Sequence, residues 1–321
     1  MRKCVLMQAL MLAIAFSASL FLGRILFPPW SLNGMHDVIL TYIRLPRLVA
    51  VVLVGAGLGL AGTSFQNVFR NYLAGPGVLG TTAGSAFGAA VAILLTQASS
   101  MTVQVSAFFF GLIATLIAYR LARLVGEDST LSLVLAGIVV SALFSGLVGL
   151  IKYEADPYNK LPTIVYWLLG SFSGIRWCDL TPSLPPLLAG ILTLLLLRWV
   201  LNILSLSDEE AKSLGVNVSL YRSIIIVAAT LATSASTSMA GMIAWVGVVS
   251  PHIARLLVGF DNRDLIPASA LVGATLLLVC DDIARSLWSA ELPLSVVTDF
   301  VGAPILFAIL VRRRLQYHVR D

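Results

Sequence analysis

Apolar runs of membrane-crossing length recur along this chain, separated by short polar stretches rather than by soluble segments. A helix rises 1.5 Å per residue, so about 20 apolar residues cross the hydrocarbon core. Ten runs meet or approach that length. They cover residues 4–26 (closing in Pro28-Pro29-Trp30), 42–69, 78–95, 103–121, 131–151, 184–200, 223–237, 240–258, 265–288 and 296–311. Between the fifth and sixth, the polar stretch Lys152–Lys160 leads into about 12 apolar residues flanked by Trp167 and Trp177. That piece is too short to span and predicts an interfacial or re-entrant helix. No hydrophilic stretch is long enough for a separate extramembrane domain. The pattern therefore predicts one all-α membrane domain, 1–321, of about ten transmembrane helices.

Composition agrees. The chain is 58% hydrophobic and only 12% charged, where soluble domains carry about 25% charged residues. The net charge of +5 suits residues flanking spans on the cytoplasmic side better than nucleic-acid binding. With the N-terminus inside, fourteen of the 21 Lys and Arg residues fall on the cytoplasmic side. Arg24, Arg44, Arg47, Lys152, Lys160, Arg176 and Arg285 fall outside. This bias predicts both termini in the cytoplasm of a multi-pass protein of the cell (inner or plasma) membrane. The N-terminal run has a signal-like start but no small-residue cleavage site, and is read as a retained first span.

Catalytic chemistry finds no support. Phosphate loops, HExxH and Gly-x-Ser-x-Gly are absent, and His36, His252 and His318 are scattered. Cys4, Cys178 and Cys280 lack metal-ligand spacing. The expectation is a chain that does no hydrolytic or redox chemistry and carries no cofactor of its own. Strings such as GAGLGLAGTSF, LGTTAGSAFGAA and ATSASTSMAGMIAWVG predict close helix packing through small residues.

Three features exceed packing. The first is the cytoplasmic loop at 201–222, where Ser207 and Glu210 form a capping-box pattern and Gly215 a stop. Two short helices there would suit docking of a soluble partner, or serve as a plain connection. The second is Arg44-Leu45-Pro46-Arg47 at the outer mouth of the second span. Its guanidinium groups could snorkel to water or meet carboxylates of an external partner. The third is Asp281-Asp282 with Arg285 inside the ninth span. Their i, i+4 and i, i+3 spacings allow ion pairing on one face, and a proton relay is the competing reading.

Longer strings carry a resemblance. RLPRLVAVVLVGAGLGLAGTSFQNVFRNYLAGPGVLGTTAGSAFG, SDEEAKSLGVNV, GMIAWVGVVSPHIARLLVGFDNRDLIPASALVGA and CDDIARSLWSAELPLSVVTDFVGAPILFAIL appear in order between about residues 40 and 311. Together they resemble the FecCD-type permeases that import iron siderophores, haem and vitamin B12. The resemblance implies a type II ABC importer permease fold, paired with a second permease subunit as a homodimer. It implies two copies of an ATP-binding subunit below, which bind the ATP, and an extracytoplasmic solute-binding protein above. One branch of the family carries molybdate or tungstate, which is the alternative cargo. A proton-coupled secondary transporter is the alternative mechanism.

Carried over position by position, Arg44, Arg47 and Arg285 match arginines that receive the binding protein. The segment Asp208, Glu209, Glu210, Ala211, Lys212, Ser213, Leu214 and Gly215, within a coupling stretch at 205–221, matches the part that seats on the ATPase. Asn71 and Leu73 match the inner constriction. Three strings depart from the family pattern. Tyr72 replaces the proline of Asn-Pro-Leu-Ala, shifting the expected bend to Gly75-Pro76-Gly77. Pro293-Leu294-Ser295 and Ala244-Trp245-Val246-Gly247-Val248 replace two others.

Overall fold

The structure is a computed structural model that describes residues 2–22, 34–96, 99–124 and 130–318, with side chains for all except 2–3, 34–36, 310 and 312–318. The predicted end of the first span at Leu26, Arg24 and Pro28-Pro29-Trp30 lie outside these residues, as does Arg320.

The described residues are helical wherever they form regular structure. In chain order the helices are α1 (Arg2–Phe21), α2 (Gly34–Ile39), α3 (Leu45–Val68), α4 (Thr81–Leu95), α5 (Ser100–Leu124) and α6 (Thr130–Glu154). Then come α7 (Lys160–Leu168), α8 (Trp177–Leu180), α9 (Leu184–Leu196), α10 (Arg198–Leu204) and α11 (Asp208–Ser213). The last four are α12 (Val218–Ala240), α13 (Val246–Val258), α14 (Asn262–Ser286) and α15 (Leu294–His318). A π-helical turn, Leu40–Arg44, joins α2 to α3.

Among the described residues, six helices are long and apolar enough to cross a membrane. The pair α9–α10 makes a seventh candidate bent by 62°, and three shorter apolar helices bring the apolar segments to the ten expected. Several boundaries differ from the sequence expectation. The third span begins at Thr81, because Gly80 caps α4 in the left-handed region (φ 81°). The sixth breaks at Leu197 rather than running straight to Val200. The seventh starts at Val218, where Asn217 caps it through its side chain.

The eighth span differs most. Ala240 ends α12, and helix resumes only at Val246 after Gly241 (φ 73°) and Trp245 (φ 65°). This irregular backbone is tolerable because protein encloses it. The Ser171 amide donates to the Ala240 carbonyl at 2.9 Å, and the Leu294 and Ser295 amides donate to Gly170 and Leu169. The short tryptophan-flanked piece is α7, too short to span, as expected.

α3 is the central helix. Its apolar window is 78% buried, against 11% for α1 at the periphery. Close contact requires small residues where backbones meet. A Cβ placed on Gly55 or Gly273 would run into the other's carbonyl, and one on Gly62 into the Gly247 carbonyl. The α3–α14 and α3–α13 seams are therefore backbone against backbone. Buried hydroxyls on α3, α12 and α13 bond to carbonyls four residues back, as Thr63, Ser64, Thr233 and Ser250 do.

Candidate gating and coupling sites

Arg44, Arg47 and Arg285 converge where α1, α3 and α14 meet. Arg44 ends the π-helical turn and Pro46 is the second residue of α3, where it withdraws one amide from the helical ladder. Arg44 Nη1 donates to the Leu20 carbonyl at 2.6 Å, near the C-terminus of α1. Arg47 Nε donates to Asp281 at 3.1 Å and its Nη2 at 2.9 Å, while its Nη1 reaches Glu291 at 2.8 Å. Arg285 pairs with Asp282 and donates to the Ser19 carbonyl at 2.6 Å. The Ser19 hydroxyl donates to Asp282.

The outward presentation expected for these guanidinium groups is not what the fold adopts. Arg44 and Arg285 are each 6% exposed and the Arg47 side chain 11%. Arg47 and Arg285 meet Asp281, Asp282 and Glu291, and the Leu20 carbonyl accepts from Arg44, so partners within the chain replace the water these groups have lost. The i, i+3 pairing within α14 was legible in sequence. Glu291, in the linker before α15, and Ser19 on α1 carried no sequence signal.

A second assembly lies at the opposite end of α3. The candidate coupling segment folds as α11, and the capping box is present. Ser207 Oγ accepts from the Glu210 amide at 3.2 Å, and Glu210 returns by accepting from the Ser207 amide at 3.0 Å. These bonds hold the Glu210 carboxyl below the usual carboxylate range. Leu214 caps the helix and Gly215 (φ 77°) turns the chain away. Ala211 is buried and anchors the helix, whereas Glu209, Glu210, Lys212, Ser213 and Leu214 are exposed. The expected second short helix is the opening turn of α12.

Asp208 is half-buried. Its carboxylate accepts from Arg70 Nη2 at 2.6 Å and from Arg222 Nη2 at 2.9 and 3.0 Å. Partial burial pushes this carboxyl up, but the bonds and charges of Arg222 and Arg70 outweigh it and hold it low.

Arg70 precedes Asn71 and Leu73, the candidate constriction residues. Its φ of 47° lies in the left-handed region without being glycine, a strained geometry. Asn71 Oδ1 accepts from the Leu73 amide at 2.9 Å, and Leu73 is 62% exposed. Turns at Asn71–Ala74 and Gly75–Val78 follow. The bend is thus shared: Gly75-Pro76-Gly77 supplies one turn, but Arg70 and Gly80 supply the left-handed residues. Tyr72, at the departing position, lies under Arg255 (4.5 Å from the guanidinium carbon to the ring centre), and its carbonyl meets His252 Nε2 at 3.0 Å. Arg255 also donates to Gln66 at 2.6 Å.

Sequence reasoning missed an asparagine lattice beside this assembly. Asn67 and Asn262 exchange side-chain bonds at 3.0 and 3.1 Å, and Asn202 accepts from the Asn262 amide while donating to Asp261. It locks α3, α10 and α14 together, with Asp261 as the α14 cap. No spacing rule marks residues this far apart. Among the described residues, no group of three or more His, Cys, Asp or Glu side chains could hold a metal ion.

Comparison with known proteins decides the class. The model of the FecCD transport family matches residues 10–312. The chain belongs to the FecCD transport family. It is 41% identical over 280 residues to the molybdate import system permease protein MolB of Haemophilus influenzae, covering 87% of this chain and 82% of that one. It is 40% identical over 278 residues to a Helicobacter pylori protein described as an iron chelatin transport system permease, covering 87% and 84%. Its fold superposes with TM-score 0.91 on an inward-facing ABC transporter assigned to the metal-chelate type, at 38% identity and covering 97% and 100%. This FecCD chain is therefore a membrane permease of ABC-importer type, and its role is transport.

Proposed function

We propose that this chain is the gating half of an ATP-driven importer for a metal chelate: a ferric siderophore, haem or cobalamin. The single observation that carries the reading is α11, a capped helix anchored by Ala211 with a polar face left exposed. Such a knob suits an ATPase groove, and the family membership supports it. Two ATP-binding subunits would seat on the exposed Glu209, Glu210, Lys212, Ser213 and Leu214 of two permease copies, with both termini on the same cytoplasmic side. A binding protein would dock on the outer side at Arg44, Arg47 and Arg285. Because Arg47 and Arg285 already hold carboxylates and Arg44 a backbone carbonyl, docking would exchange these internal acceptors for external ones. Asn71 and Leu73 would form the inner gate, and the permease itself would carry no cofactor.

Molybdate or tungstate is a second reading, favoured by the similarity to the molybdate permease. Reconstitution in liposomes with the ATPase and binding protein, offering a ferric siderophore, haem, cobalamin and molybdate in parallel, tests both. Uptake of one chelate that stops with a hydrolysis-dead ATPase is the expected result. Uptake of molybdate alone would select the second reading. Uptake that survives the dead ATPase would replace both with a secondary transporter.

A further inference from the structure

We propose that Asp208 is a positioning residue rather than part of the surface offered to the ATPase: it is the joint that ties the coupling helix to the inner gate loop. The proposal rests on the importer reading above and assigns a route within it.

Partnering is the first argument. Asp208 opens α11, and its half-buried carboxylate is taken up in bridging two arginines, unlike the exposed side chains that follow it. Arg222, on the first turns of α12, has a side chain only 9% exposed and acts as the fixed end. Arg70 is the other end, and it belongs to the loop that carries Asn71 and Leu73.

Backbone geometry is the second. Arg70 sits just past the C-terminus of α3 at a φ of 47°, where glycine would be tolerated without strain. An arginine there is explained by what its side chain holds. Its Nη2 reaches both the Asp208 carboxylate at 2.6 Å and the Leu204 carbonyl that ends α10, at 3.4 Å.

Continuity is the third. One residue on, Asn71 fixes the Leu73 amide through its side chain, and Tyr72 is held against α13 by His252 and Arg255. The gate residues are thus slung between two anchors, α11 through Arg70 and α13 through Tyr72. A displacement of α11 by its partner moves one anchor and leaves the other, which reorients the segment between. A loop held at one end only would not respond in this way.

The test uses the assembled complex of permease, ATPase and binding protein in liposomes. Leu73→Cys serves as reporter, with Cys4, Cys178 and Cys280 replaced by serine. ATP should change the rate of thiol labelling at position 73. In Asp208→Asn and in Arg70→Gln, that ATP-dependent change and the cargo moved per ATP should fall about tenfold, within the range of coupling between sites. The ATPase should still co-purify and hydrolyse ATP. The double variant should be no worse than either single, and Asp208→Glu and Arg70→Lys should recover part of the loss. Two results would overturn the joint: labelling and stoichiometry unchanged in both variants, or loss of ATPase binding in Asp208→Asn, which would place the carboxylate at the ATPase surface. An unaltered complex that shows no ATP-dependent uptake would defeat the importer reading itself and this proposal with it.

Discussion

Arg47 and Asp281, 234 positions apart, meet as a two-point guanidinium–carboxylate pair across the α3–α14 seam, and the carboxylate is wholly buried. Removing Asp281 leaves Arg47 with Glu291 alone and two of its donors without an acceptor. Asp281→Ala should therefore lower stability by about 1–3 kcal/mol, and Asp281→Asn by less. Arg47→Ala combined with Asp281→Ala should be milder than the two losses added. Thermal unfolding in detergent checks this, and additive losses would show that the pair is not a unit.

Gly62 tests the backbone seam. Its missing side chain lets α3 touch the Gly247 carbonyl at the start of α13. Gly62→Ala should cost about 1–3 kcal/mol through overpacking, read as a lower unfolding temperature and less protein in the membrane. Gly149→Ala, where a Cβ meets nothing within 4 Å, is the packing control and should not lower the unfolding temperature.

The cytoplasmic carboxylate makes a pH prediction. Asp208 titrates below its ordinary 3.8 in the folded protein. Its pairing thus contributes stability that is fully present above 3.8 and is lost as the pH falls through the lower folded value. The side chain is 40% exposed, so the contribution is about 1 kcal/mol or less. The unfolding-temperature gap between the unaltered protein and Asp208→Asn should stay constant from about pH 8 to pH 5 and close below about pH 4. A gap that closed near neutrality would point to a different titrating group.

The capping box has its own signature. Ser207→Ala should raise amide hydrogen exchange across residues 208–214 by an amount equivalent to about 1 kcal/mol of local stability. Exchange in α12 should not change.

Arg44→Glu with Arg47→Glu should weaken binding-protein affinity by tenfold or more and also lower the unfolding temperature, since both guanidinium groups already serve internal acceptors. Unchanged affinity would remove the docking role and leave these residues purely structural.

Hydropathy placed ten apolar segments because the cost of exposing a polar backbone to lipid acts on each stretch of chain alone. The α11 cap was legible for the same local reason: Ser207 and Glu210 are three residues apart and need no distant partner. The break between α12 and α13 was not, since positions 241–245 are apolar enough to extend a helix. Only the apposition of Trp167 and Gly170 against Gly241 shows why they do not.

The arginines divide along the same line. Sequence alone determined that Arg44, Arg47 and Arg285 lie near membrane boundaries, and that Arg285 can reach Asp282 along one helix face. That Arg47 turns inward to Asp281 and Glu291, and Arg70 sideways to Asp208, was decided by tertiary structure. A buried cation takes whichever carboxylate the packing of separate helices brings within reach, and spacing along the chain holds no record of that distance.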